Sequence, residues 1–189
     1  MSKWIGLVAG FALLAGCVAV DSGGALPRAA SFLGGEMKVM APQGYCIDRA
    51  ASHDAADGAV VLMGRCSEAS TAAPALITLT AGGPGSAEVL GLGGKALSDY
   101  FTSSLGRAAL ARDGRASSVR VSSAAVSGGV FVMRVADRRA GEYWRAILGL
   151  KGRLVTISVT APQGAALPAD QGRKILDAAV KGFEAANGG

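Results

Sequence analysis

Residues 118–161 read SVRVSSAAVSGGVFVMRVADRRAGEYWRAILGLKGRLVTISVTA. Four runs in this stretch are rich in β-branched and aliphatic residues: Ser118 to Val126, Val130 to Ala136, Glu142 to Leu150 and Arg153 to Ala161. Ser127-Gly128-Gly129 separates the first two and Lys151-Gly152 the last two, and connections this short predict tight hairpin turns. In the final run Val155, Ile157 and Val159 alternate with Leu154, Thr156, Ser158 and Thr160. Such a strand has one buried face and one semi-polar face. Strands joined by hairpins run antiparallel, which excludes an all-parallel sheet with helical crossovers.

Upstream, Met37 to Met40 and Tyr45 to Asp48 read as one strand broken by Pro42-Gln43-Gly44. The polar segment Ala51 to Gly58 reads as a hairpin loop. Ala59 to Cys66 and Ala75 to Ala81 are two more strands. The glycine-rich segment Gly82 to Gly94 reads as a loop. Leu97, Phe101, Leu105 and Ala108 recur at spacings of three and four and predict one amphipathic helix, with Ser98 as N-cap and Asp113-Gly114 as stop. Downstream of Pro162, Pro168 and Asp170 open a second helix whose apolar face is Leu176, Ala179, Val180 and Phe183. The expected fold is therefore α+β: a twisted antiparallel sheet of about six to seven strands packed with two main helices. The chain divides into a leader at 1–16, a flexible Gly/Ala/Ser-rich tether at 17–35 and a single domain at 36–189.

This order of three strands, a helix, a late pair of hairpins and a closing helix resembles the PsbP-like fold. Its members include photosystem accessory proteins, a eukaryotic Ran-binding protein and bacterial DcrB-type lipoproteins. The resemblance spans roughly Glu36 to Ala186. It rests on Ala41-Pro42-Gln43-Gly44-Tyr45, Ser98 to Leu105, Ser127-Gly128-Gly129, Glu142-Tyr143-Trp144 to Val159, and Ile175 to Phe183. It implies an accessory or assembly module that binds other proteins, and it brings no catalytic residues with it.

The N-terminus carries its own signal. Lys3 precedes an apolar run from Trp4 to Leu14, too short to span a bilayer and of the right length for a signal peptide. The run ends in Leu14-Ala15-Gly16-Cys17, which resembles the bacterial lipobox over all four positions. The resemblance implies cleavage after Gly16 and lipidation of Cys17, whose several acyl chains anchor the protein stably in a membrane. An ordinary secretory signal with an incidental Cys17 is the competing reading. Val18 follows where Asp would retain an enteric lipoprotein in the inner membrane, so the outer membrane, facing the periplasm, is slightly favoured. The formal net charge is +5, and the removal of Lys3 lowers it by one. The basic residues are scattered and aromatics make up only 5%, which speaks against nucleic acid as a partner. A chain 50% hydrophobic and 17% charged is not a disordered one.

The other two cysteines, Cys46 and Cys66, fall on neighbouring predicted strands of an exported chain and are expected to form a disulfide. His53 is the only histidine. With Asp48, Asp54 and Asp57 it makes a poor metal set, and a Ser-His-Asp hydrolase would have to be built on it without a Gly-x-Ser-x-Gly elbow. Gly91-Leu92-Gly93-Gly94-Lys95 fails as a phosphate loop, because Ala96 stands where Ser or Thr is needed. No metal or cofactor is expected. Arg138 and Arg139 at a strand connection, with Tyr143 and Arg145 on one strand face, form the expected interaction surface. Trp144, in phase with Ala146, Leu148 and Leu150, is assigned to the opposite, core-facing side. The sequence thus favours a lipid-anchored envelope protein acting as a non-catalytic accessory module with an envelope protein partner. Alternatives are a periplasmic small-ligand or lipid carrier and, less favoured, a hydrolase using His53.

Overall fold

The glycine turns of the 118–161 stretch take the backbone that two-residue hairpins require. In the computed structural model, which describes residues 26–188, Gly128 and Gly129 have φ of 58° and 81°, and Lys151 and Gly152 have 48° and 77°. In chain order the elements are β1 (Ala29–Phe32), β2 (Met37–Met40), β3 (Tyr45–Ala55), β4 (Gly58–Arg65), β5 (Leu76–Ala81), α1 (Gly93–Thr102) and α2 (Ser104–Leu110). They continue with β6 (Val119–Ser127), β7 (Val130–Asp137), β8 (Gly141–Leu150), β9 (Arg153–Thr160) and α3 (Ala169–Asn187). Seven strands make one antiparallel sheet in the order β3-β4-β5-β9-β8-β7-β6, and β1 pairs with β2 alone. The fold is α+β.

Alternation along each strand sends side chains to two faces, and both faces are used. On one face, Val61, Met63, Ile77, Leu79, Ala146, Leu148, Val155, Ile157 and Val159 pack with Leu176, Ala179 and Phe183 of α3. Phe32, Met37 and Val39 of the β1–β2 hairpin complete this core. Asn187 ties the two covering pieces together, since its amide donates to the Lys38 carbonyl at 2.8 Å and accepts from the Lys38 N–H at 3.0 Å. Trp144 lies on this face and donates from Nε1 to the Ala169 carbonyl in the first turn of α3 at 2.7 Å. Arg153, 8% exposed, donates to the carbonyls of Gly82 and Ala56 and to Glu36, tying β9 to two loops.

The opposite face carries Phe131, Met133, Val135, Tyr143 and Ile147, covered by Leu97 of α1 and Leu110 of α2. The helical layer extends over the β6–β7–β8 half of this face. Across β5 and β9 the same face presents Thr78, Thr80, Thr156, Ser158 and Thr160.

Several expectations are corrected. Residues 29–35 belong to the domain rather than the tether, because β1 pairs with β2 from Ala29↔Met40 to Phe32↔Met37. The polar stretch Ala51 to Gly58 is mostly strand: β3 runs to Ala55 at the edge of the sheet, where one side can meet water, with a register shift between Asp48 and His53. The single helix through Leu105 is two helices, so among the described residues three α-helices stand where two were expected. Ser98 lies inside α1 and caps nothing, whereas Ser103 breaks the helix with extended backbone and accepts a hydrogen bond from Gly106 N–H at 3.1 Å. This break turns Leu105 outward, and it is 71% exposed. α2 ends at Leu110, before Asp113-Gly114.

The expected disulfide is present: Cys46 and Cys66 are bonded, with Cα atoms 4.8 Å apart. Cys17 and the lipobox lie outside the described residues. Among the described residues no helix is long and apolar enough to cross a membrane.

Candidate functional site

The helical layer on the second face stands on two glycines. A Cβ on Gly94 would meet the Val126 side chain at 2.3 Å, so α1 sits directly against β6. A Cβ on Gly106 would meet the Tyr100 carbonyl oxygen at 2.0 Å, so α2 folds back tightly on α1. The approach is tight at these junctions and leaves space further in. Between α1, α2, the 3-10 segment Ser86–Leu92 and the sheet lies a chamber of about 510 Å³. Its walls include Leu97, Phe101, Leu110, Ile147 and Leu154, and Val89, Leu92 and Tyr100 stand at its exposed side. Phe101 stacks on Phe131 at 5.9 Å between ring centroids, which fixes the inner wall. Its volume falls within the roughly 300–1,000 Å³ range of small-molecule sites.

Among the described residues one charged side chain lines the chamber, and it is Arg145. It also lines a second, smaller hollow of about 220 Å³ on the same sheet face, floored by Thr78, Thr80, Thr156, Ser158 and Thr160. Leu110 is likewise shared by the two spaces. The arrangement is an apolar chamber and a hydroxyl-lined groove meeting at a half-buried guanidinium. Arg145 Nε donates to Ser158 Oγ at 2.9 Å, and its guanidinium carbon lies 5.4 Å from the centre of the Tyr143 ring. Burial pushes the Tyr143 phenol above its ordinary value, against the opposing pull of Arg145.

Asp137 is the acid of the groove, and its charge is already committed. Its Oδ1 accepts from the backbone N–H groups of Arg139 at 2.6 Å and Ala140 at 3.0 Å, and its Oδ2 from that of Arg112 at 3.1 Å. Burial raises its pKa, but these three donors and the Arg112 charge outweigh burial and hold the carboxyl below its ordinary value. The loop after β7 is thus fixed at the rim of the groove.

The expected interaction surface divides on this geometry. Arg138 and Arg139 are exposed on the β7–β8 turn. Tyr143 is 5% exposed and is therefore wall rather than surface, because the α1–α2 layer covers its half of the sheet. Arg145, on the same strand face, is half-buried and stands where the two hollows meet. His53 is exposed on edge strand β3. Asp48 and Asp54, its companions in sequence, turn to the backbone N–H groups of Ala51 and Leu33 instead. Among the described residues no three His, Cys, Asp or Glu side chains gather as a metal site.

Sequence reasoning missed the chamber walls and the hydroxyl row. Thr78 and Thr80 alternate with apolar residues in 76–81, as Thr156, Ser158 and Thr160 do in 153–160, which marks a semi-polar face. That β5 and β9 are neighbours is a long-range fact that no local pattern carries. Comparison of the chain with protein-family models, with curated proteins and with solved structures finds no match to any of them.

Proposed function

We propose that this is a lipid-anchored protein of the bacterial cell envelope whose domain binds a small apolar or amphipathic molecule, acting as a carrier rather than a catalyst. The observation that carries this reading is the 510 Å³ apolar chamber under α1 and α2, met among the described residues by a single cationic side chain. A domain of this size normally packs such a space with side chains, so a chamber within the ligand-binding range favours the carrier over the accessory module. Anchoring through Cys17 supplies the membrane, a local source or destination for such a molecule.

The test is ligand retention. The full chain is purified under native conditions and its extract analysed for released small molecules, beside Ala96→Phe, which places a ring in the chamber from α1. A near-stoichiometric apolar molecule in the unaltered chain, reduced at least about fivefold in Ala96→Phe, is the expected result. Recovery below about one-tenth of a mole per mole, unaffected by the substitution, overturns the carrier reading.

A second reading keeps the accessory module. Leu92 and Leu105 are 68% and 71% exposed on the same helical layer, and apolar residues presented this way suit a protein partner. In-cell cross-linking separates the two. An envelope protein captured by the unaltered chain and by Ala96→Phe, but lost with Leu105→Glu, favours docking on the outside of the helices.

A further inference from the structure

We infer that the ligand is a single-chain amphiphile with an anionic head, its chain in the apolar chamber and its head on Arg145; the inference rests on the carrier reading. The argument begins with what Arg145 lacks. Arg134, Arg153 and Arg173, also partly or wholly shielded from water, each hold a carboxylate: Glu142, Glu36 and Asp177 respectively, and the partly buried Arg107 gives a terminal amino group to the Thr102 carbonyl at 2.6 Å. Arg145 holds none among the described residues. Its one hydrogen bond there is from Nε to the Ser158 hydroxyl, which leaves both terminal amino groups available. A guanidinium withdrawn from water costs free energy unless an anion or acceptors replace the lost hydration, and its planar fork suits a carboxylate or phosphate.

Asp137 is the nearby acid, and its oxygens are taken up by three backbone donors. Arg112, exposed at the same groove, adds a second positive charge. The Ser158 hydroxyl accepts from Arg145, so its own hydrogen is free to point to a head group, as is that of Thr78 in the groove, whereas the Thr160 hydroxyl donates to the Leu76 carbonyl at 3.4 Å. Polarity therefore changes across Arg145, from a hydroxyl-rich groove on one side to leucine, isoleucine and phenylalanine on the other. One chamber of this volume takes one chain. The shared head-group chemistry is a carboxylate or phosphate, from a free fatty acid or from a single-chain phospholipid.

The test uses the full chain in phosphatidylcholine vesicles and four photoactivatable probes with the reactive group in the acyl chain. Two are anionic, palmitic acid and 1-acylglycerol phosphate. Two are their neutral twins, the palmitate methyl ester and the monoacylglycerol. Cross-linked peptides are mapped by mass spectrometry. At least one anionic probe is expected to label the Leu97–Phe101 and Leu154 peptides about tenfold more than its neutral twin, the size of one charge-assisted hydrogen bond. Preference confined to the acid identifies a fatty acid, and preference confined to the phosphate identifies a phospholipid. Arg145→Gln is expected to bring the favoured anion down to its twin's level and leave the neutral probes unchanged. Equal labelling by each anion and its twin overturns this inference and leaves the carrier reading standing. Chamber labelling by none of the four overturns both. The paired comparison on the unaltered chain decides the matter even if Arg145→Gln fails to fold.

Discussion

Opening the Cys46–Cys66 bridge is expected to cost about 3 kcal/mol of folding stability. The bond spans a sequence separation of 20 residues and closes the open end of the β3–β4 hairpin at the edge of the sheet. In the chain-entropy account a closed loop of that length removes about 11 cal/mol/K from the unfolded chain, which is about 3 kcal/mol at room temperature. For a domain of this size that corresponds to a fall in Tm of roughly 6–12 °C. Urea unfolding of the same protein, oxidised and reduced, measures it, with Trp144 emission as the signal. Trp144 is on β8, well away from the bridge in the strand order, so its signal follows global unfolding. Because the effect lies in the unfolded chain, reduction should also steepen the denaturant dependence as that chain expands. A loss below about 1 kcal/mol with an unchanged slope would refute the reasoning and place the bridge's worth elsewhere.

Gly106→Ala drives a methyl group into the Tyr100 carbonyl, and overpacking of this kind costs about 1–3 kcal/mol. Ligand retention should fall with it, while the core against α3 persists; an unchanged Tm sinks the tight α1–α2 junction. Phe183→Ala removes a ring 2% exposed from the main core, at about 3–5 kcal/mol, read as a lower urea midpoint. Asp137 has a folded pKa below its ordinary 3.8, so the stability it contributes is complete above that value and is lost as pH falls through the lower folded one. Asp137→Asn should cost about 1–3 kcal/mol near neutrality. It should also flatten the acid limb of the stability–pH curve, and a limb as steep as the parent's would remove Asp137 from that account.

The part of the fold from Ser118 to Ala161 was legible because its information is local. Gly128-Gly129 and Lys151-Gly152 adopt the positive φ that fixes each hairpin's register, and Val155, Ile157 and Val159 name the buried face. The pair Cys46 and Cys66 was legible for the same reason, with Cys46 on β3 and Cys66 directly after β4, two strands joined by one turn. His53 and its acidic neighbours were misread because a polar run resembles a loop until it is known to form an edge strand. The helix break at Ser103 was hidden by the unbroken 3–4 spacing of Leu97, Phe101, Leu105 and Ala108. The serine's cap on Gly106 outweighed that spacing, and Leu105 went to solvent as a result. The chamber was out of reach altogether. It exists because α1 and α2, placed between β5 and β6 in sequence, lie over strands that come later, and Arg145 acquires its meaning only from what surrounds it.

The position of β9 beside β5 also has a consequence in time. Ala81 pairs with Val155, 74 residues further along. A chain delivered N-terminus first has completed β3, β4 and β5 well before the strand that seals them arrives. At the roughly 5–20 residues per second of synthesis, that interval is about 4–15 s. Through it the edge of β5 is open, with Ile77 and Leu79 on one side and unpaired backbone along its length. Thr78 and Thr80, which give the other side its hydroxyls, keep that waiting edge wettable on one face. Their value to the cell is therefore partly spent before the domain has finished folding, as protection against sticking to a neighbour caught at the same stage.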